Sequence, residues 1–127
     1  MPARSVSINI NNLTAFTLTK IEEALDHGAW TNDNPPPQTI APFTRIYFEG
    51  ESDGVMTGTE GHVKYRIEDG MNSDFYFHWD NPYSSNVIGD HYNIFHEFTN
   101  ENMLSGIPEM IMIKMKVLNC TLIFQRM

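Results

Sequence analysis

The stretch DFYFHWDNPYSSN, residues 74–86, crowds aromatic side chains into a short segment and then breaks into a polar turn. Its odd positions carry Phe75, Phe77 and Trp79, and its even positions carry polar or amphipathic side chains. This period of two is typical of a half-buried β-strand with one wholly apolar face. Two interpretations are open: every ring belongs to the core, or the strand end displays rings to a ligand.

The same alternation recurs in Val6–Ile10, Phe16–Leu18 and Val63–Ile67. Turn-forming residues separate these segments, among them the asparagine and proline run at 32–37 and the Asp-Gly pairs at 53–54 and 69–70. Short alternating strands with regular turns predict an all-β fold. We therefore expect residues 1–127 to form one domain, a single antiparallel β-sandwich.

Two segments allow more than one interpretation. Lys20–His27 carries Ile21, Ala24 and Leu25 at helical spacing, yet the segment is short and could equally continue the preceding strand. Met110–Leu118 is apolar on both faces around its Met and Ile residues. That pattern predicts a strand that is buried on both sides or lies at an interface.

Composition limits the function. The 127-residue chain has 16 acidic and 8 basic residues, a net charge of −8, so a nucleic-acid partner is excluded and anionic lipid is disfavoured. A neutral or zwitterionic headgroup, a glycan or a protein remains possible.

The single cysteine, Cys120, excludes an intrachain disulfide and a cysteine-based zinc site, and a strand-like context predicts that it is buried.

The first residues, Met1-Pro-Ala-Arg-Ser5, lack the apolar core of a signal peptide. No apolar run approaches the ~18 residues of a membrane-spanning helix. The sequence therefore predicts a soluble protein without a signal peptide.

Motifs for catalysis are missing from the sequence, which contains no nucleophile elbow, phosphate loop or His-Glu-x-x-His pattern. We therefore expect no enzymatic activity and no cofactor. Histidines and aspartates could gather around a metal, although their spacing matches no known ligand pattern: His62, His78, His91, His96, Asp80 and Asp90. A metal-dependent hydrolase is thus the weakest alternative.

The segment Glu49–Gly61 contains four glycines in thirteen residues, which suits a strand end, a bulge and a tight hairpin. Glu60 within it could accept a hydrogen bond from a ligand hydroxyl or from a backbone amide. Trp30, which precedes a polar proline loop, could belong to the core or to a membrane-facing surface.

Two stretches, ESDGVMTGTEG at 51–61 and FHWDNPYSSN at 77–86, resemble the aegerolysin family, as does the first predicted strand, ARSVSININN at 3–12. The similarity runs from about residue 3 to residue 98 and is greatest to the small component of bacterial binary insecticidal crystal toxins. The resemblance implies an actinoporin-like β-sandwich that recognises membranes, often through sphingolipids, and forms pores with a larger second protein.

The resemblance implies an insecticidal or cytolytic toxin, or a toxin subunit, that is released or stored as an inclusion and acts at target-cell membranes. Neutral or zwitterionic membrane lipids, a larger toxin component and further copies of the chain are the expected partners. Six residues are the candidate lipid contacts: Trp30, Glu60, Tyr76, Trp79, Asp80 and Tyr83. Tyr83, which follows Pro82 at the predicted loop tip, is the ring least needed for packing. A glycan-binding lectin is the alternative, because an aromatic ring beside Asp80 and Asn81 also suits a sugar.

Overall fold

The computed structural model describes residues 4–54, 57–71, 73–82, 93–98 and 107–119. These residues form nine strands: β1 (Arg4–Asn12), β2 (Leu18–His27), β3 (Ala29–Trp30), β4 (Thr39–Ile40), β5 (Thr44–Glu51), β6 (Thr59–Ile67), β7 (Ser73–Asn81), β8 (Asn93–Phe98) and β9 (Ile111–Asn119). Short 3₁₀ turns cover Thr31–Asp33 and Pro108–Met110. No helix in these parts of the chain is long and apolar enough to cross a membrane.

The strands form two antiparallel sheets. Sheet A has the order β3-β5-β1-β9, and sheet B has the order β4-β2-β6-β7-β8. The predicted all-β sandwich is confirmed. Its core is made by the apolar inward faces of both sheets, which include Val6, Ile8, Ile10, Phe48, Val63, Tyr65, Ile67, Phe75, Phe77 and Trp79.

The aromatic residues 75–79 lie in β7. Phe75, Phe77 and Trp79 are each 0% exposed, which confirms that this face of the strand forms core. Tyr76 and His78 point to the opposite, outer face of sheet B and are partly exposed. Packing therefore explains the three inward rings of β7, and the side chains of this strand that a ligand could meet are those of its outer face.

The ambiguous segment 20–27 is part of β2 and not a helix. Two register shifts interrupt its pairing with β6, one between Lys20 and Glu22 and one between Leu25 and His27. A β-bulge adds one residue to a strand and so breaks the strict alternation of inward and outward positions. The bulges explain why the apolar residues of this strand do not show a period of two.

The C-terminal strand β9 is not buried on both sides, so that part of the prediction is wrong. β9 pairs with β1, and Ile111 and Ile113 turn inward at least partly buried. Met112 is 51% exposed and shares the outer face of sheet A with Lys114 and Lys116. Ammonium groups keep this face hydrated, and Met112 is exposed with them. That this strand lies at an interface stays a prediction.

Candidate functional site

An open groove with a volume of about 410 Å³ lies at one end of sheet B. Its lining residues come from the end of β2, the start of β6 and the end of β7: His27, Thr57, Gly58, Thr59, Glu60, Asp80 and Pro82. We call this feature the groove. Most of these side chains are polar, and they include two carboxylates.

Strand pairing places the two carboxylates together. Glu60 on β6 lies directly opposite Asp80 on β7 in the antiparallel register. Both residues point outward because their neighbours Thr59 and Trp79 point into the core, where they are 1% and 0% exposed. Paired residues on neighbouring strands have side chains close together, so this end of sheet B concentrates negative charge.

Two imidazoles flank Glu60. The Nε2 atom of His78 is 3.3 Å from Oε2 of Glu60, and the Nε2 atom of His27 is 3.9 Å from Oε1. Burial and the neighbouring Glu60 carboxylate raise the pKa of Asp80, while His78 and His27 act in the opposite direction. The groove thus offers carboxylate oxygens that can accept hydrogen bonds from ligand hydroxyl or ammonium groups.

Aromatic side chains pack in the core beside the groove wall. The indole Nε1 of Trp79 donates to Oγ1 of Thr59 at 3.2 Å, which ties the groove wall to the core. The Trp79 ring fits between two glycines, because a Cβ atom on Gly61 would lie 2.7 Å from the ring and one on Gly50 would lie 3.3 Å from it. Trp30 packs against it at a tilt, with ring centroids 5.6 Å apart. The groove wall is therefore joined to a closely packed part of the core.

The structure brings together only some of the candidate lipid contacts. Glu60 and Asp80 meet in the groove, whereas Tyr76 lies on the same outer face but nearer the middle of β7. Tyr76 packs against the His62 and Phe95 rings, at centroid distances of 5.5 and 6.2 Å. Burial, followed by nearby carboxylates that include Glu22, raises the pKa of its phenol, so Tyr76 stays a hydrogen-bond donor.

Two candidates, Trp79 and Trp30, pack with the core. The prediction of Trp79 as a lipid contact disagrees with its position, because its ring is 0% exposed and enclosed by Gly50 and Gly61 in the core. Trp30 is partly buried and packs against Phe48 and Trp79. Tyr83 lies outside the described residues.

Among the described residues, no group of three or more His, Cys, Asp or Glu side chains is arranged to hold a metal ion. His62 instead pairs with Glu22, at 2.9 Å from Nε2 to Oε2. His91 and Asp90, which completed the sequence-based set, lie outside the described residues, as does Cys120.

Sequence reasoning missed His27 and the threonines of the groove wall. His27 is brought opposite Glu60 by the bulge between Leu25 and His27, and nothing in the local sequence fixes where a bulge falls. Glu60 and Asp80 were both singled out separately, yet their meeting depends on the register of β6 against β7. The Glu68-Asp-Gly70 turn between the two strands is the signal that could have fixed that register.

No family model matches the chain. A search of curated proteins finds that it is similar to an uncharacterized protein of Dictyostelium discoideum, with 36% identity over 72 residues. Those residues are 57% of this chain, and they span only 6% of the length of that protein. The match is a likeness to one short segment, and it assigns neither a family nor a function.

Proposed function

We propose that this chain is a membrane-lipid-binding module that acts as a toxin or toxin subunit and forms pores with a larger partner protein. The resemblance of its sequence to aegerolysins motivates the proposal, and the two-sheet antiparallel sandwich agrees with that resemblance. The groove is the observation that supports it most directly, because it gathers polar acceptors at one exposed end of a rigid sandwich.

The chemistry of the groove favours one class of headgroup. Two facing carboxylates attract an ammonium group, and Thr57 adds a partly exposed hydroxyl at the wall. The chain as a whole carries a charge of −8, so an anionic lipid would be repelled. A neutral or zwitterionic headgroup with ammonium or hydroxyl donors, as in sphingolipids, fits both conditions.

Vesicle sedimentation tests this proposal. The probes are phosphatidylcholine vesicles with and without a sphingolipid, at low and at raised salt. The parent protein is expected to bind in both salts, and Glu60→Gln and Asp80→Asn are each expected to weaken binding, about tenfold for loss of one charge-assisted hydrogen bond. Glu68→Gln, which removes an exposed carboxylate from the β6–β7 turn, is the matched control and should bind like the parent.

Two results would count against the proposal. Binding that requires anionic lipid and disappears at high salt would show a purely electrostatic contact unlike the one proposed. Equal binding by the parent and both groove variants would show that the protein binds membranes through a surface other than the groove.

A glycan-binding lectin is the second candidate, and the same carboxylate pair favours it. Sugar hydroxyls are hydrogen-bond donors that Glu60 and Asp80 could accept, and the groove is open enough to admit a chain end. A glycan array separates the two functions. Saturable binding to free glycans, without binding to sphingolipid vesicles, would replace the membrane proposal with this one.

A further inference from the structure

Three exposed apolar residues lie side by side at the end of sheet A that is opposite the groove. Thr44 on β5, Asn12 on β1 and Ile111 on β9 are aligned in register as the last paired positions. The residues one step beyond them are Phe43, Leu13 and Met110, which are 69%, 37% and 40% exposed. We call these three residues the apolar row. The backbone amide of Leu13 also donates to the Met110 carbonyl at 2.8 Å, which fixes two of them as neighbours.

Phe43 holds an unfavourable backbone conformation. Its φ angle is +55°, in the left-handed region that bulky residues rarely adopt. The turn is held by the buried Asn12 side chain, whose Nδ2 atom donates to the carbonyls of Ala41 and Phe16 at 3.1 and 2.8 Å. Strain of this kind persists only where surrounding contacts enforce it, and it is concentrated at functional positions. The fold therefore maintains an exposed phenylalanine ring at a cost in stability.

The apolar row and the groove lie at opposite ends of β1, so a membrane that meets the groove end of the sandwich does not reach the row. Arg4, at the start of β1, donates from Nε to the carbonyl of Pro82 in the groove wall, and Asn12 at the other end adjoins the row. β1 has nine residues, which corresponds to about 27 Å. With the groove on a membrane, the row would lie that far into the water, where a protein surface is the suitable cover. This exclusion of lipid rests on the proposed function.

The charges around the row match a second copy of the same chain. Exposed Arg45 lies on the β5 side of the row, and exposed Glu109 lies on the β9 side, next to Met110. Neither has an ion-pair partner among the described residues. A two-fold axis that passes between the Leu13 side chains of two copies would reverse one row against the other, so that Phe43 faces the partner's Met110 and Arg45 faces the partner's Glu109. Such self-complementarity is what a two-fold interface requires.

We propose that the apolar row is a homodimer contact, in which two copies pack end to end around Leu13 with Phe43 as the main anchor. The row is small compared with the ~800 Å² per partner of a standard interface, so the dimer is expected to be weak and concentration-dependent. In this arrangement the two grooves point away from each other, at the far ends of the pair.

Sedimentation velocity over a wide concentration range tests the proposal. The average mass of the parent should rise toward that of two copies, and Phe43→Gly should raise the dissociation constant at least about tenfold, as expected for loss of an aromatic anchor. Glycine tolerates the positive φ, so this variant keeps the fold. Ile21→Ser, which removes an exposed apolar residue from sheet B, is the control and should dimerise like the parent.

Charge reversal gives the sharper test. Arg45→Glu alone and Glu109→Arg alone should each weaken the dimer, and the double variant should restore it, because the two-fold axis pairs each position with the other. A parent that stays monomeric throughout, or a double variant that is not restored, overturns the proposal. Loss of vesicle binding in Phe43→Gly also overturns it, because the row would then be a lipid surface. Failure of the parent to bind vesicles would instead refute the proposed membrane function. The homodimer proposal would then still be decided by the mass measured in sedimentation.

Discussion

Trp79 lies at the groove end of the sandwich with 0% of its surface exposed, whereas Phe43 lies at the opposite end with 69% exposed. Trp79 is held in a regular strand by two glycines, a threonine hydroxyl and neighbouring rings. Phe43 is in a left-handed turn, which the Asn12 side chain holds by donating a hydrogen bond to the Ala41 carbonyl. The comparison shows two uses of an aromatic ring. The buried Trp79 stabilises the fold, whereas the exposed Phe43 lies outside the core in a backbone conformation that costs stability.

The largest expected effect is that of Trp79→Ala. Truncation leaves a cavity between the sheets and removes the bond to Thr59, so we expect a loss of ~3–5 kcal/mol in the free energy of unfolding. Denaturant unfolding measures it. Tyr76→Ala, on the outer face of the same strand, is the control and should cost clearly less. Equal losses for the two variants would show that the inward and outward faces of β7 are not distinguished as described.

Gly61→Ala is expected to come next. The added Cβ would lie 2.6 Å from the carbonyl oxygen of Ala24 and 2.7 Å from the Trp79 ring. Because backbone and a buried ring must both shift, we expect a loss of ~1–3 kcal/mol. Gly70→Ala is a useful comparison, since open space surrounds that position and only its φ of +80° is unfavourable. Thermal unfolding that is unchanged in Gly61→Ala would contradict the close contact with Trp79.

Phe43→Gly is expected to change stability in the opposite direction. Glycine adopts a φ of +55° without the steric penalty of a Cβ atom, so the variant should gain ~0.5–1.5 kcal/mol. Phe43→Ala removes the same ring but keeps the Cβ, and it should show little or no gain. The pair of denaturation curves isolates backbone strain from loss of the ring. A destabilised Phe43→Gly would mean that the ring packs usefully in the folded state.

The smallest expected effect is that of Asp80→Asn, and it depends on pH. The pKa of Asp80 is raised in the folded state, mainly by burial and then by Glu60, so folding disfavours its ionised form. The contribution of Asp80 to the stability of the parent is therefore largest below the ordinary aspartate pKa. It is lost as the pH rises through the pKa of Asp80 in the folded state. At neutral pH the variant should be more stable, within ~0.5 kcal/mol for this partly exposed site.

The difference between Asp80→Asn and the parent should disappear as the pH falls below ~3.9, where the aspartate is protonated in both states. Thermal midpoints of both proteins over a pH series measure it. A gap that stays constant with pH would show that ionisation of Asp80 is not its cause. The same variant is expected to bind vesicles less well, so stability and binding should change in opposite directions at this residue.

Much of the fold could be predicted because alternation reports burial directly. The inward rings of β7 and the apolar positions of β1 follow from a period of two, which any half-buried strand imposes on its sequence. The outcome for β2 could not be predicted, since two bulges shift its register and hide the period. The exposure of Met112 could not be predicted, because β9 has apolar residues at both odd and even positions and the sequence does not show which of them face solvent.

The candidate site was less predictable, because it depends on contacts between distant residues. Glu60 and Asp80 were recognised as polar residues of interest, but only the β6–β7 register makes them a pair, and only a bulge adds His27. Phe43 gave no signal at all. The sequence Ala-Pro-Phe at 41–43 contains no glycine or asparagine to announce a left-handed residue, and the cause of that conformation, Asn12, lies far away along the chain.

The position of β1 between β5 and β9 also has a consequence for how the protein folds. Arg4 pairs with Asn119, so sheet A closes only when segments from nearly opposite ends of the described chain meet. By contrast, β6 and β7 are joined by a short turn and need no such search. Loop-closure entropy makes long-range pairing slow. We therefore expect the β6–β7 hairpin to form early and sheet A to be completed last, so that mutations at the β1–β9 pairing accelerate unfolding more than they retard folding.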